Sequence, residues 1–188
     1  MGGKVASAFS LLYPDRVQSL SILDISPVKY TANELSSVCD TIMFLAQSTE
    51  KLLLADSKQA VSGIIREHVT EDSMHAFLMS QIQPSSEGKG FEWKLHVDPL
   101  YQGLEPILNF DLGIKESETY PFTGPTLLMK AGKSDFVRTK HIDSIKLLFP
   151  SYVMCTIRDA SHWLHVEKPK ECAEVLNKFI QSTYALTL

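Results

Sequence analysis

Thr126-Leu127-Leu128-Met129-Lys130-Ala131 is a short, almost wholly apolar run introduced by Gly124-Pro125, and Tyr152-Val153-Met154-Cys155-Thr156-Ile157 follows it after a stretch of helical spacing at 139–148. A closing helix is predicted from Pro169 to about Gln181. Apolar runs of this length between turn residues read as buried strands, and strands alternating with helices imply a parallel sheet covered by helices. Working upstream, the run from Val17 to Ile25, ending Leu20-Ser21-Ile22-Leu23-Asp24-Ile25, reads as a third strand of the same kind, and Ser26-Pro27-Val28 leaves it as a loop. Before it, Lys4 to Leu12 has small and apolar residues at helical spacing, and Tyr13-Pro14-Asp15 ends that helix because proline cannot continue it.

Between these blocks the texture changes. Helical spacing appears at 33–47, 57–68 and 71–82, and Gln83-Pro84-Ser85-Ser86-Glu87-Gly88-Lys89-Gly90 reads as a loop. Phe91 to Val97 alternates like a short strand, and Asp98-Pro99 reads as an N-cap and first residue of a helix. The expected organisation is sheet core at 1–29, a mostly helical cap insertion with its return segment at 30–119, and sheet core again at 120–188. The apolar residues Phe44, Leu45, Phe77, Leu78, Met79 and Trp93 read first as core of the insertion, with an acyl-pocket lining as the alternative.

Composition narrows the function classes. Eighteen Lys and Arg against 22 Asp and Glu, with no basic block, give no footprint for a nucleic-acid partner. No apolar run approaches the length of a membrane span. Cys39, Cys155 and Cys172 are odd in number and widely spaced, so they read as reduced thiols of an intracellular protein. The spacing of His162, His165 and Cys172 suits no common zinc pattern, so no metal is expected, and no cofactor-binding motif is present.

Parallel sheets of this kind place reactive groups on loops at the C-terminal ends of their strands. Three such loops are visible: Asp24 after the first strand, Gly132-Lys133-Ser134-Asp135-Phe136-Val137 after the second, and Arg158-Asp159-Ala160-Ser161-His162-Trp163-Leu164-His165 after the third. An acid followed by a histidine in this order is what a Ser…Asp…His triad leaves once its serine is removed. His162 is the candidate general base, against the plainer reading of a loop histidine hydrogen-bonded for structure, while His165 is expected to have a structural or pocket-edge role.

Met1-Gly2-Gly3-Lys4, Tyr13-Pro14-Asp15-Arg16-Val17, Leu23-Asp24-Ile25-Ser26-Pro27-Val28, Phe91-Glu92-Trp93, Gly124-Pro125-Thr126-Leu127 and His162-Trp163-Leu164-His165-Val166-Glu167-Lys168-Pro169 occur in one order along the chain. Together they resemble the α/β-hydrolase family, in particular its esterases, whose nucleophile elbow reads Gly-His-Ser-Met-Gly-Gly-Lys. The resemblance covers essentially the whole chain and implies an α/β fold: the C-terminal part of an α/β-hydrolase, beginning just after the serine. It implies a serine esterase or lipase working on a small-molecule ester or lipid through an acyl-serine, without cofactor, in an intracellular and mitochondrial setting. On this reading Gly2 and Gly3 permit close helix–strand approach, and the backbone N–H of Met1 is an oxyanion-hole donor. Asp24 is the first choice for the acid, with Asp135 and Asp98 as alternatives. Ser161 departs from the family, which usually has glycine before this histidine. A chain without its nucleophile is expected to be inactive alone. The rival readings are a short isoform or pseudoenzyme that binds another protein, and a different hydrolase chemistry such as haloperoxidase or dehalogenase activity; the residue that precedes Met1 separates them.

Overall fold

The computed structural model describes residues 1–86, 88–112 and 120–185. They fall into two compact units, one of Met1–Glu34 with the chain from Ile107 onward, the other of Leu35–Pro106.

The first unit is built on a three-stranded parallel sheet: β1 (Leu20–Leu23), β4 (Thr126–Ala131) and β5 (Tyr152–Ile157), in the order β1-β4-β5. Leu20 lies opposite Thr126 and Leu23 opposite Met129, and β4 in turn aligns Thr126 with Tyr152 and Ala131 with Ile157. β4 is central and buried on both faces, which is why its sequence is nearly all apolar. Leu127 and Met129 pack with Phe179 of α9 (Pro169–Ala185). Ala131 and Ile157 pack with Leu164 of α8 (Leu164–Glu167) and Cys172 of α9. The unit is completed by α1 (Gly2–Leu12) and α7 (Ile142–Leu148), the latter preceded by a 3-10 turn at Thr139–His141.

β1 is shorter than the apolar run from Val17 predicts. Pro14–Arg16 form a 3-10 turn, and pairing begins only at Leu20, whose N–H donates to the Pro125 carbonyl at 2.9 Å. The strand ends at Leu23 because Asp24 turns to a left-handed φ of 47°.

In the second unit α2 (Ser36–Leu53), α3 (Lys58–Arg66) and α4 (Asp72–Ser80) pack around Leu52, Val61, Ile65 and Leu78, none more than 1% exposed. The Ser57 hydroxyl caps α3 by accepting the Ala60 N–H at 3.2 Å. Gln83 and Pro84 belong to a strand rather than to the predicted loop: β2 (Ile82–Pro84) pairs antiparallel with β3 (Phe91–Trp93). Proline is tolerated there because this two-stranded ribbon has only edge strands. Gly90 closes the hairpin at φ 71°, where an added Cβ would lie 2.0 Å from the Leu53 carbonyl oxygen.

Two expectations about the segment after β3 need correction. The strand stops at Trp93, and Val97 already belongs to α5 (Val97–Gln102), whose N-cap is His96. Asp98 is therefore not the N-cap but the second residue of the helix, and Pro99 is the third. Proline is accommodated there because the first N–H groups of a helix have no intrahelical carbonyl to bind. A short helix α6 (Leu104–Leu108) follows. Leu45, Leu78 and Trp93 are buried within this unit, and the Trp93 indole N–H is bound to the Leu45 carbonyl at 3.2 Å; Phe77 remains 37% exposed.

Candidate active site

The parallel register sets the C-terminal ends of β1, β4 and β5 side by side, and each strand feeds one loop to that edge. Asp24 follows β1. Its N–H donates to the Met129 carbonyl at 2.7 Å, and its left-handed backbone, which Asp adopts more readily than most residues, turns the carboxylate inward to complete burial. Oδ1 accepts the Ala131 N–H at 2.9 Å. The β4 and β5 loops are tied together by Gly132 N–H to the Ile157 carbonyl and Lys133 N–H to the Ala160 carbonyl, both at 2.9 Å.

From the β5 loop, His162 brings Nδ1 to 2.9 Å from Asp24 Oδ2, with 40% of the histidine side chain exposed and none of the aspartate's. A carboxylate oxygen accepts, so Nδ1 carries the proton and Nε2 offers its lone pair. The imidazole also lies against the ring of Phe136, centroids 4.0 Å apart and planes inclined by 22°. Asp24 and His162 thus form a carboxylate–imidazole pair whose acid is held on its other oxygen by the backbone N–H of Ala131, at the end of the neighbouring strand β4.

The other acids named from sequence stand differently. Asp135 points outward in an ion pair with Arg138, 3.6 Å apart, its side chain 82% exposed. Asp98 belongs to the helical unit. His165 is exposed one residue into α8. Ser161, standing where glycine is usual, donates its hydroxyl and its N–H to Glu167, and these bonds hold the Glu167 carboxyl below its ordinary range.

Met1 caps α1, its carbonyl accepting the N–H groups of Lys4 and Val5. Of the two glycines that follow, only Gly3 sits in close contact: an added Cβ would lie 2.1 Å from Ile25 Cγ2, whereas one on Gly2 would meet nothing within 4 Å. Lys4 is buried and donates to the carbonyls of Ile107, Leu108 and Asn109 at 3.2, 2.8 and 2.9 Å. Burial pushes its ammonium down to about 8, and the three carbonyls replace the water it has lost.

Behind the histidine loop is a buried polar network that sequence inspection did not pick out. The Tyr30 hydroxyl accepts the Ser26 N–H at 2.8 Å and donates to the Phe136 carbonyl at 2.5 Å. The Ser26 hydroxyl is 3.0 Å from His141 Nδ1, and His141 Nε2 is 3.4 Å from Glu34 Oε1. Desolvation pushes the Tyr30 phenol up to about 12 and lowers His141. These residues are far apart in sequence and carry no spacing motif, so only the fold unites them.

No family model matches the chain. It is 30% identical over 180 residues to the sn-1-specific diacylglycerol lipase ABHD11 of Mus musculus, covering 96% of this chain and 56% of that protein. To esterase YbfF of Escherichia coli it is 25% identical, covering 96% of this chain and 64% of that protein. Among solved structures, a marine microorganism esterase superposes with a TM-score of 0.82 at 27% identity, over 94% of this chain and 66% of that one. The chain therefore spans between about half and two thirds of the length of these relatives.

Proposed function

Because the chain belongs to the α/β-hydrolase superfamily, we propose that it is the acid–base half of a carboxylic-ester hydrolase. The observation that carries this reading is the hydrogen bond from His162 Nδ1 to the fully buried Asp24 carboxylate at the C-terminal edge of a parallel sheet. In the proposed reaction His162 Nε2 takes the proton of a serine hydroxyl as that serine attacks the ester carbonyl. Asp24 stabilises the imidazolium that forms and keeps the ring in the tautomer whose free lone pair faces the nucleophile. His162 then returns the proton to the departing alkoxide. The acyl-serine is released by water, activated by the same imidazole.

The serine is proposed to stand on a strained turn immediately before Met1. Met1 would then supply its backbone N–H to the oxyanion, and Gly3 lets the following helix approach the strand that carries Asp24. The substrate class proposed is a small-molecule ester or lipid, in keeping with the lipase and esterase names of the relatives. The helical unit is proposed as a cap insertion, and the setting as intracellular. Among the described residues no helix is long and apolar enough to cross a membrane.

The test uses a chain extended upstream to include a Gly-x-Ser elbow. There His162→Ala should lower kcat by roughly three orders of magnitude or more, and His165→Ala by far less. Asp24→Asn should cost far more turnover than Asp135→Asn or Asp98→Asn. Full turnover in Asp24→Asn, or a larger loss from His165→Ala than from His162→Ala, would sink the assignment.

A further inference from the structure

A single hydrogen bond to Asp24 fixes one point of the His162 ring and leaves the ring free to rock about that bond. The face of the imidazole needs its own constraint, and Phe136 provides a surface for it at 4.0 Å with nearly parallel planes. Phe136 lies on a loop, so something must fix its backbone. Its carbonyl accepts the Tyr30 hydroxyl at 2.5 Å, and its N–H donates to the Ser134 hydroxyl at 3.2 Å. Tyr30 is itself immobilised: it is 1% exposed, its N–H donates to the Leu108 carbonyl at 2.9 Å, its ring lies 4.7 Å under the Lys4 ammonium, and its hydroxyl takes the Ser26 N–H.

We propose that Phe136 and Tyr30 are positioning residues for His162: Tyr30 locks the Phe136 peptide, and the Phe136 ring holds the imidazole plane in line with the Asp24 carboxylate. This rests on reading His162 as the base. The order of action is fixed by contact. Tyr30 touches the peptide of Phe136, Phe136 touches the imidazole, and Asp24 touches its Nδ1.

The experiment is a two-bond proton–nitrogen correlation spectrum of histidine side chains in the 188-residue chain, which reads ring tautomers directly and requires no substrate. The wild-type His162 should appear as a single Nδ1–H tautomer with a visible Nδ1 proton. Phe136→Leu keeps apolar volume and every backbone hydrogen bond but removes the flat ring; Tyr30→Phe removes the shorter of the two hydroxyl bonds to the Phe136 carbonyl, leaving that of Ser26 at 3.1 Å, and takes away the acceptor of the Ser26 N–H. Both should average the His162 ring nitrogens between tautomers and lose the Nδ1 proton signal to water exchange. Phe136→Tyr, which restores a flat ring, should recover the wild-type pattern. The side-chain methyl signals of Leu127 and Met129, buried in the core of the same sheet unit, serve as the control for an intact fold. If His162 keeps one tautomer and its Nδ1 proton in both variants while those controls are unchanged, the proposal is overturned. Should Tyr30→Phe lose its fold, Phe136→Leu decides alone, because it leaves the network's hydrogen bonds in place. Absence of esterase activity in the extended chain would sink the functional reading and leave this spectrum untouched, so the two failures are distinguishable.

Discussion

Glu34 lies at the last residue of the sheet unit's first segment, and its carboxylate collects several donors. Lys140 Nζ is 2.6 Å from Oε1, and the Thr31 N–H and hydroxyl reach Oε2 at 2.8 and 2.9 Å. The Lys140 ammonium and the Thr31 bonds hold the Glu34 carboxyl down to about 2. A depressed carboxyl contributes stability that is fully present above its unfolded value, roughly 4.3, and is lost as pH falls through the folded value near 2. Buried His141 works at higher pH: its lowered folded value means that acidification below roughly 6.5 costs stability, because the unfolded ring takes up a proton first. Glu34→Gln should therefore reduce the loss of stability between pH 4 and 2, of which the depressed Glu167 carboxyl keeps a share, while keeping the loss near pH 6. It should cost about 0.5–1 kcal/mol at neutral pH, since Lys140 is largely solvent-exposed. Urea midpoints measured across pH 2–8 give the answer; an unchanged acid limb below pH 4 would remove Glu34 from the account.

At the scale of elements, the approach of α1 to β1 depends on one missing methyl. An added Cβ at Gly3 would overlap Ile25 and press on Ile22 Cγ2 at 3.2 Å, while at Gly2 it would enter open space. Gly3→Ala should lower stability by about 1–3 kcal/mol, the usual cost of overpacking a tight contact. Gly2→Ala should be neutral or slightly stabilising, because alanine is the better helix former. Thermal melts of the two variants side by side test this; equal melting temperatures would mean that α1 yields without cost. Such contacts also explain what sequence reading reached. The β4–α7–β5–α9 alternation was legible, since buried parallel strands are apolar throughout and the helices are periodic. The choice of Asp24 over Asp135 and Asp98 as the partner of His162 rested on resemblance, because 138 residues separate the two and only the register of β1 on β4 and β4 on β5 sets their loops together. β2 escaped notice because Gln83-Pro84 carries a turn signature, and the start of α5 was misplaced because proline at its third position imitates one at the first. Tyr30 and His141 are ordinary in sequence and gain meaning only through tertiary contact.

At the scale of the whole molecule, the question is whether this chain holds an activated serine of its own. Ser26 has the outward form of one. Its hydroxyl is 3.0 Å from His141 Nδ1, whose Nε2 faces Glu34, in a serine–histidine–glutamate chain. Yet Ser26 is 0% exposed and His141 4%, so no ester or probe reaches the hydroxyl, and Arg138 N–H and the Phe136 carbonyl compete for the same partners. Ser62, 3.0 Å from His75 Nε2, sits within the helix α3 rather than on a strained strand-to-helix turn. Ser134 accepts the Phe136 N–H. None of the three combines an exposed hydroxyl, a base and an elbow with oxyanion donors. The 188-residue chain is therefore expected to show no turnover of short p-nitrophenyl esters and no labelling by a fluorophosphonate probe. The upstream-extended chain should be labelled stoichiometrically at the elbow serine. Mass spectrometry of the labelled peptide reads both outcomes. Stoichiometric labelling of the unextended, folded chain would overturn the expectation, and the labelled position would say what replaces it. Labelling at Ser26 would make His141 and Glu34 its base and acid, and would require the buried network to open on the timescale of the reaction.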